Sequence, residues 1–271
     1  MDKLDYINGN KFLEIADFAI DFDHNDLNTN IFKKNAIIFC KTDFIDTLFD
    51  YIKLSGRTYF LITHASDYPI DEIRFKRAPK SIVKWYAENA VYADERLVSI
   101  PIGLENHKGK SKGKFTNHQW FVDNVDLLRS YQKHPYVYCN WNPDTNQSAR
   151  KSIIETLEKN HVPLSVRHGL NYISYCQDLA KYMFVACPSG NGVDTHRVWE
   201  SLYVGSYPIV LRHRIYENYD LPILQVDDWN EVTPKLLSEF KYKWKDKTSF
   251  DQLKMSWWRN LIKESFLNDI K

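Results

Sequence analysis

Short apolar runs alternate with amphipathic stretches along most of the chain. The runs have the length of buried strands, and the stretches between them repeat apolar residues at the three- and four-residue spacing of a helix. Strands that alternate with helices predict a parallel α/β sheet. The predicted strands are residues 36–40, 58–63, 97–102, 136–140, 162–166, 183–187, 207–211 and 222–226, and the predicted helices are residues 42–53, 79–89, 121–133, 149–160, 172–180, 195–204, 232–240 and 250–270.

Three intervals interrupt this pattern. Residues 1–34 are polar and rich in Asn and Asp, residues 105–116 (ENHKGKSKGKFT) are predicted to form a loop, and residues 241–247 are predicted to form a charged break. A chain of 271 residues is long enough for about two domains. We therefore predict an N-terminal α/β domain over residues 1–130, a second α/β domain over residues 131–250, and a terminal helix over residues 251–271 that packs back across the domains.

One strand–helix unit contains a glycine-rich loop (CPSGNG). The predicted strand at 183–187 enters residues dominated by turn formers, and the helix at 195–204 follows, with Asp194 or Thr195 as its N-cap. A right-handed crossover of this kind places the loop at the carboxyl edge of a parallel sheet, where ligands usually bind. The loop is therefore the first candidate for a functional site.

The residues of this loop suit a diphosphate. Gly190 and Gly192 would let backbone N–H groups approach a ligand, and the start of the helix adds unpaired donors and a positive dipole end. Arg197 can bind an anion, and Glu200, on the same helical face, can accept hydrogen bonds from two ribose hydroxyls. The loop at 140–150 occupies the corresponding position in the first strand–helix unit of the same half. The candidate nucleotide-binding residues are Asn140, Thr145, Asn146 and Arg150 from that loop, and Ser189, Gly190, Asn191, Gly192, Asp194, Thr195, His196, Arg197 and Glu200 from the glycine-rich loop and its helix.

Composition narrows the classes of function. The 36 basic and 35 acidic residues leave a net charge of +1, so no global field attracts nucleic acid and we expect no nucleic-acid partner. Four widely spaced cysteines without a C-x-x-C pair favour buried free thiols in a reducing compartment. The first residues lack an apolar signal segment, and no apolar run is long enough to cross a membrane. The sequence therefore predicts a cytoplasmic protein without a transmembrane segment.

Four phrases of the sequence resemble the successive blocks of exostosin-like glycosyltransferases, including short bacterial and viral members. They are THASDYPI, LVSIPIGLEN, YVYCNWNPDTNQSARKSI and CPSGNGVDTHRVWESLYVGSYPIV, and the block around residues 190–200 is the most specific. The resemblance implies a GT-B-like fold, with two Rossmann-type parallel-sheet domains, a cleft between them and a reduced N-terminal domain. It implies a nucleotide-sugar donor such as a UDP-sugar or GDP-sugar, a glycan or glycoconjugate acceptor, inversion at the anomeric carbon and no metal cofactor. In this resemblance Arg197 and Arg150 match positive residues near the diphosphate, and Glu200 matches the ribose-binding glutamate.

An inverting transfer by direct displacement needs a general base for the acceptor hydroxyl and a positive environment for the departing diphosphate. The positive environment is supplied by Arg150, Arg197 and the start of the helix. For the base, Asp67 and His64 are the candidates because their loop ends a predicted strand of the N-terminal domain, and we prefer Asp67. The alternative is structural: Asp67 caps a helix, and His64 packs or orders the loop.

Two other functions stay open at the level of sequence. Asp21 and Asp23 form a D-x-D motif, the metal-binding motif of GT-A transferases, although no strong strand is predicted before it. A non-catalytic nucleotide- or carbohydrate-binding module is the second alternative, since the aromatic content of 15 % would fit sugar stacking, although most aromatic residues lie at core spacing. The structural alternative to a phosphate site is a glycine-rich turn followed by an Arg–Glu surface pair. The sequence favours the metal-independent transferase over both.

Overall fold

The computed structural model describes residues 4–27, 34–106 and 117–269. These residues divide into two compact units. Among these residues, the N-unit contains 5–27, 34–106, 192–194 and 254–269, and the C-unit contains Leu4 and residues 117–191 and 195–253. The C-terminal helix thus belongs to the N-unit, and the chain passes from the N-unit to the C-unit before residue 117.

The N-unit is built on a five-stranded sheet in which all strands are parallel and follow one another in the order β1-β2-β3-β4-β5. Its strands are β1 (Phe18–Ile20), β2 (Ala36–Lys41), β3 (Tyr59–His64), β4 (Ile82–Ala87) and β5 (Leu97–Ser99), and its first helices are α1 (Gly9–Leu13), α2 (Ile45–Ile52) and α3 (Glu72–Arg77). A 3₁₀ turn at Thr42–Phe44 leads into α2. The strands are almost entirely buried, as expected for a parallel sheet that is covered on both faces.

The C-unit is built on a second five-stranded parallel sheet, in the order β10-β9-β8-β6-β7. Its helices are α4 (Asn117–Arg129), α5 (Gln147–Arg150), α6 (Ile153–Lys159), α7 (Tyr172–Leu179), α8 (His196–Tyr203) and α9 (Pro234–Trp244), its strands are β6 (His134–Cys139), β7 (Leu164–Val166), β8 (Tyr182–Ala186), β9 (Tyr207–Leu211) and β10 (Leu224–Val226), and α10 (Met255–Asp269) of the N-unit closes the chain. The chain runs from β6 outward to β7 and then returns to β8 on the other side of β6. The strand order therefore reverses between β6 and β8.

Helices cover the two faces of the N-unit sheet. Leu61 of β3 belongs to the apolar cluster that includes Leu48 of α2. The neighbouring Phe60 points to the opposite face, because side chains alternate along a strand, and its ring lies 5.2 Å from that of Phe266 in α10. Trp258 of α10 contacts Phe12 of α1 on this same side. The terminal helix is thus part of the N-unit core.

The structure confirms the prediction of parallel α/β sheets, and the two sheets are compatible with two Rossmann-like domains. The helix predicted at 79–89 is wrong, because residues 82–87 form β4 between β3 and β5. The break predicted at 241–247 is also wrong over its first half, since α9 continues to Trp244. Residues 1–34 contain α1 and β1, which the sequence did not reveal. Most of the predicted loop at 105–116 lies outside the described residues.

The four cysteines are buried and free, as predicted. Within the described part of the chain, no helix is both long enough and apolar enough to cross a membrane.

Candidate functional site

A cavity of about 420 Å³ lies in the C-unit, beyond the carboxyl ends of β6 and β8. This is the point at which the strand order reverses, and in open α/β sheets such a point is the usual place for a ligand. The volume is within the range of small-molecule sites. The cavity is lined by Asn140, Arg150, Leu170, Tyr172, Tyr175, Thr195, His196, Arg197 and Glu200.

Hydrogen bonds join the two loops that the sequence analysis singled out. Arg150, which is 7 % exposed, donates from Nε to the carbonyl of Ser189 at 2.9 Å and from Nη1 to the carbonyl of Asn142 at 2.7 Å. Asn146 donates from Nδ2 to the carbonyl of Gly190 at 2.8 Å. The loop after β6 and the loop after β8 therefore form one wall, and Arg150 holds that wall together as well as lining the cavity.

Arg150 and Arg197 bring two positive charges to the cavity. Burial lowers the pKa of Arg150, and the nearby charge of Arg197 lowers it further. Among the described residues, no carboxylate lies within 4.0 Å of either guanidinium group. The Nε of Arg197 is buried and has no hydrogen-bond partner in the described part of the chain. A buried donor in this state is uncommon and indicates a place for a ligand acceptor.

Glu200 lies three residues after Arg197 on α8 and is 4 % exposed. Its Oε1 accepts a hydrogen bond from the hydroxyl of Tyr172 at 2.8 Å, and its Oε2 accepts one from the hydroxyl of Tyr175, also at 2.8 Å. Neither tyrosine was predicted from the sequence. Their spacing of three residues on a helix is the signal that could have shown them on one face.

Thr195 occupies the N-cap position of α8, which is one of the two predicted positions, but its side chain makes no capping hydrogen bond. The carboxylate of Asp194 accepts a hydrogen bond from the backbone N–H of Ile102 at 2.9 Å. The sequence therefore placed the start of the helix correctly, but the predicted capping bond is not made by the Thr195 side chain. Thr195, His196 and Arg197 line the cavity, so this end of the helix dipole borders it.

Gly192 has a different role from the predicted one. A Cβ atom at this position would lie 2.9 Å from Nδ2 of Asn89 in the N-unit. The backbone N–H groups of Val193 and Asp194 donate to Oδ1 of Asn89 at 3.1 and 3.0 Å. The absence of a side chain at 192 therefore makes room for Asn89, and the two following amides are already paired.

The two candidate bases occupy different environments in the N-unit. His64 is 1 % exposed, its Nε2 lies 3.1 Å from the carbonyl oxygen of Pro101, and its ring contacts Phe12. Asp67 is exposed in the loop that follows β3. It does not cap α3, because Asp71 is the N-cap and accepts from the N–H of Arg74. Asp67 is thus the more accessible of the two.

Glu88, at the end of β4, is a buried carboxyl that the sequence analysis missed. Its Oε2 lies 3.1 Å from Nδ1 of His64 and accepts a hydrogen bond from the N–H of Ala65 at 2.8 Å. Burial raises the pKa of Glu88 to about 8, and the negative charge of Asp194 raises it as well, against the lowering effect of the Ala65 hydrogen bond. Ala65 and Asn89 adopt left-handed backbone conformations with φ of 63° and 53°. Backbone strain and a carboxyl group with a raised pKa thus occur together at the carboxyl edge of the N-unit sheet.

The other predicted residues are less central. Asn140 lines the cavity and donates to the hydroxyl of Tyr138 at 3.1 Å. Thr145 and Asn191 belong to the two loops but do not line the cavity.

Asp21 directly follows β1, so a strand does precede the D-x-D motif, and its Oδ1 accepts from the N–H groups of Asp23 and His24. Among the described residues, no three His, Cys, Asp or Glu side chains form a group that could hold a metal ion.

A scan against protein-family models finds no match to the chain, and a search of curated proteins finds no match either.

Proposed function

We propose that this protein is a glycosyltransferase that moves a sugar from a nucleoside-diphosphate sugar to a hydroxyl of a glycan or glycoconjugate. In this proposal the C-unit binds the donor, the fold is GT-B-like, and the transfer is inverting and independent of metal. The observation that carries the proposal is the cavity at the strand-order reversal, which combines one buried carboxylate with two guanidinium groups that have no ion-pair partner among the described residues.

The two kinds of charge in this cavity correspond to the two halves of a nucleoside diphosphate. Arg197, whose buried Nε has no hydrogen-bond partner among the described residues, and the amino end of α8 would bind the diphosphate. Glu200 can only accept hydrogen bonds when ionised, so it would bind the ribose hydroxyls. Positive groups fixed near the departing diphosphate also stabilise the charge that develops on it during transfer.

Asp67 is the proposed general base. Its exposed carboxylate can reach a solvent-borne acceptor, whereas the His64 ring is enclosed by Glu88, Pro101 and Phe12. Asp67→Asn is therefore expected to keep donor binding and to lose most of the turnover, by about a hundredfold or more. Calorimetry and a transfer assay on the same preparation would separate the two effects. Equal losses of binding and turnover would contradict this role.

The decisive test of the donor site is Arg197→Ala. Because the substitution removes the guanidinium that faces the diphosphate, we expect affinity for uridine or guanosine diphosphate to fall by about a hundredfold, with the fold intact. Isothermal titration measures the affinity, and circular dichroism checks the fold. Arg212→Ala is the matched control, since Arg212 is an exposed C-unit arginine that pairs with Asp227. Binding by Arg197→Ala that equals the wild type would remove the site.

A non-catalytic nucleotide-binding module is the second candidate function. It is favoured by one observation, the enclosure of His64, which leaves Asp67 as the single accessible candidate base of the predicted pair. Nucleoside diphosphate binding without hydrolysis or transfer on any acceptor would support the module. Turnover that is lost in Asp67→Asn would support the transferase.

A further inference from the structure

Tyr172 and Tyr175 make a defined arrangement with Glu200. The two residues are three positions apart on α7, and each hydroxyl donates to a different oxygen of the carboxylate. The pair fixes the plane of the carboxylate and occupies one acceptor direction on each oxygen. The remaining acceptor directions are left for a ligand, since Glu200 lines the cavity.

Arg197 is the obvious alternative partner for Glu200. Residues three apart on a helix are neighbours, and an arginine and a glutamate at this spacing commonly form an ion pair. In this protein the two groups are not within ion-pair distance, although both belong to α8 and both line the cavity. Both charges act on the Tyr175 hydroxyl: burial raises the pKa of Tyr175 most, the negative charge of Glu200 raises it further, and the positive charge of Arg197 lowers it.

We propose that Tyr172 and Tyr175 are positioning residues that keep Glu200 apart from Arg197. Their hydroxyl groups stabilise the buried carboxylate, so that the guanidinium is not needed for this purpose and stays available for an anion. The inference rests on the proposed function, because it assigns the anion to Arg197 and the ligand hydroxyls to Glu200. It adds the reason why the two opposite charges of the site do not neutralise each other.

This arrangement predicts that loss of a tyrosine hydroxyl affects anion binding at Arg197. Without the Tyr175 hydroxyl, the buried carboxylate loses a donor, and Arg197, which lines the same cavity three residues earlier on α8, is a cation that can replace it. An Arg197–Glu200 ion pair would then compete with any anion for the same guanidinium. The loss of a hydroxyl that never touches the anion should therefore weaken anion binding, and removal of the Glu200 charge should cancel that loss.

Binding of inorganic pyrophosphate tests this inference through a double-mutant cycle. We expect Tyr175→Phe to weaken pyrophosphate binding by about tenfold, the equivalent of about 1.4 kcal/mol. Glu200→Gln should bind pyrophosphate at least as tightly as the wild type, because it removes a nearby negative charge. The double variant should match Glu200→Gln and not Tyr175→Phe. Tyr172→Phe gives a second, independent cycle if Tyr175→Phe does not fold, and Tyr136→Phe, an exposed tyrosine of β6, is the control.

The outcomes separate the two proposals. If the double variant binds pyrophosphate as weakly as Tyr175→Phe, the tyrosine acts on the shape of the site and not through Glu200, and the inference is wrong. If the wild type binds pyrophosphate and Tyr175→Phe binds it equally tightly, this inference is wrong, but the proposed function is not affected. Absence of pyrophosphate binding in the wild type rejects the anion site, and the proposed function and this inference fall together.

Discussion

Gly192 and Asn89 show how a single residue type can be required by packing within the N-unit. Asn89 is 1 % exposed, and its Oδ1 is held by two backbone N–H groups, so its side chain cannot move aside. A methyl group at 192 would meet its Nδ2 at 2.9 Å. At this position glycine is required for its small size and not for its conformational freedom.

Gly192→Ala should therefore destabilise the protein. Forcing a methyl group into a well-packed site costs about 1–3 kcal/mol, and the free energy of unfolding should fall by this amount. Urea denaturation measures the change. Gly190→Ala is the matched control, because the nearest atoms to a Cβ at that position are 3.4 and 3.8 Å away. Equal losses in both variants would show that the close approach of Asn89 is not what makes position 192 sensitive.

The sequence predicted those site residues whose chemistry is visible in a local pattern. Arg150, Arg197 and Glu200 follow strand ends or begin helices, and the structure places all three around one cavity. Tyr175 and Glu88 were missed because their importance comes from a partner that is distant in the chain. Glu88 meets His64, 24 residues earlier, and Tyr175 meets Glu200, 25 residues later. A helix pattern gives the face of a residue but not what that face contacts.

At the scale of elements, β4 shows where local preference fails. Residues 79–89 contain Ala, Lys and Glu, which favour a helix, and their apolar positions fit a helical face. The structure pairs Trp85 of β4 with Leu61 on one side and with Leu97 on the other. Hydrogen bonding between two buried strands, together with the burial of the Trp85 side chain, outweighs a weak helical preference. Strands with clear apolar runs, such as β2 and β3, were predicted correctly.

The terminal helix α10 is expected to be essential for the stability of the N-unit. Trp258 is 2 % exposed and contacts Phe12, so Trp258→Ala would leave a large cavity in the core. The expected loss is about 3–5 kcal/mol in the free energy of unfolding. Leu267→Ala, at a position of the same helix that is 61 % exposed, should cost less than about 0.5 kcal/mol. Thermal and urea unfolding of the two variants would check the difference, and similar small losses would show that α10 is not a core element.

At the scale of the whole molecule, Glu88 of the N-unit and Lys133 of the C-unit both have pKa values that burial shifts to about 8, and the two shifts have opposite consequences for stability. In the N-unit, burial raises the pKa of Glu88 to about 8, and His64, Asp194 and Asp67 are the titratable groups near it. In the C-unit, burial lowers the pKa of Lys133 to about 8, while its Nζ donates to the carbonyl of Ala180 and to Oγ of Ser206. In each case burial shifts the equilibrium toward the neutral form of the group.

These shifts predict opposite dependences of stability on pH. Between pH 4.5, the usual pKa of the group, and about pH 8, Glu88 keeps its proton in the folded state and loses it in the unfolded state. Its contribution to the free energy of unfolding therefore falls as pH rises. Between about pH 8 and pH 10.5, the usual pKa of the group, Lys133 is neutral in the folded state and charged in the unfolded state. Its contribution to the free energy of unfolding therefore increases with pH. Glu88→Gln should remove the first dependence, and Lys133→Met should remove the second. Urea denaturation of the wild type and both variants at about pH 5, 8 and 10 would measure the slopes. A slope in the lower window that persists in Glu88→Gln would assign it to another group, and a slope in the upper window that persists in Lys133→Met would likewise show that it does not come from this lysine.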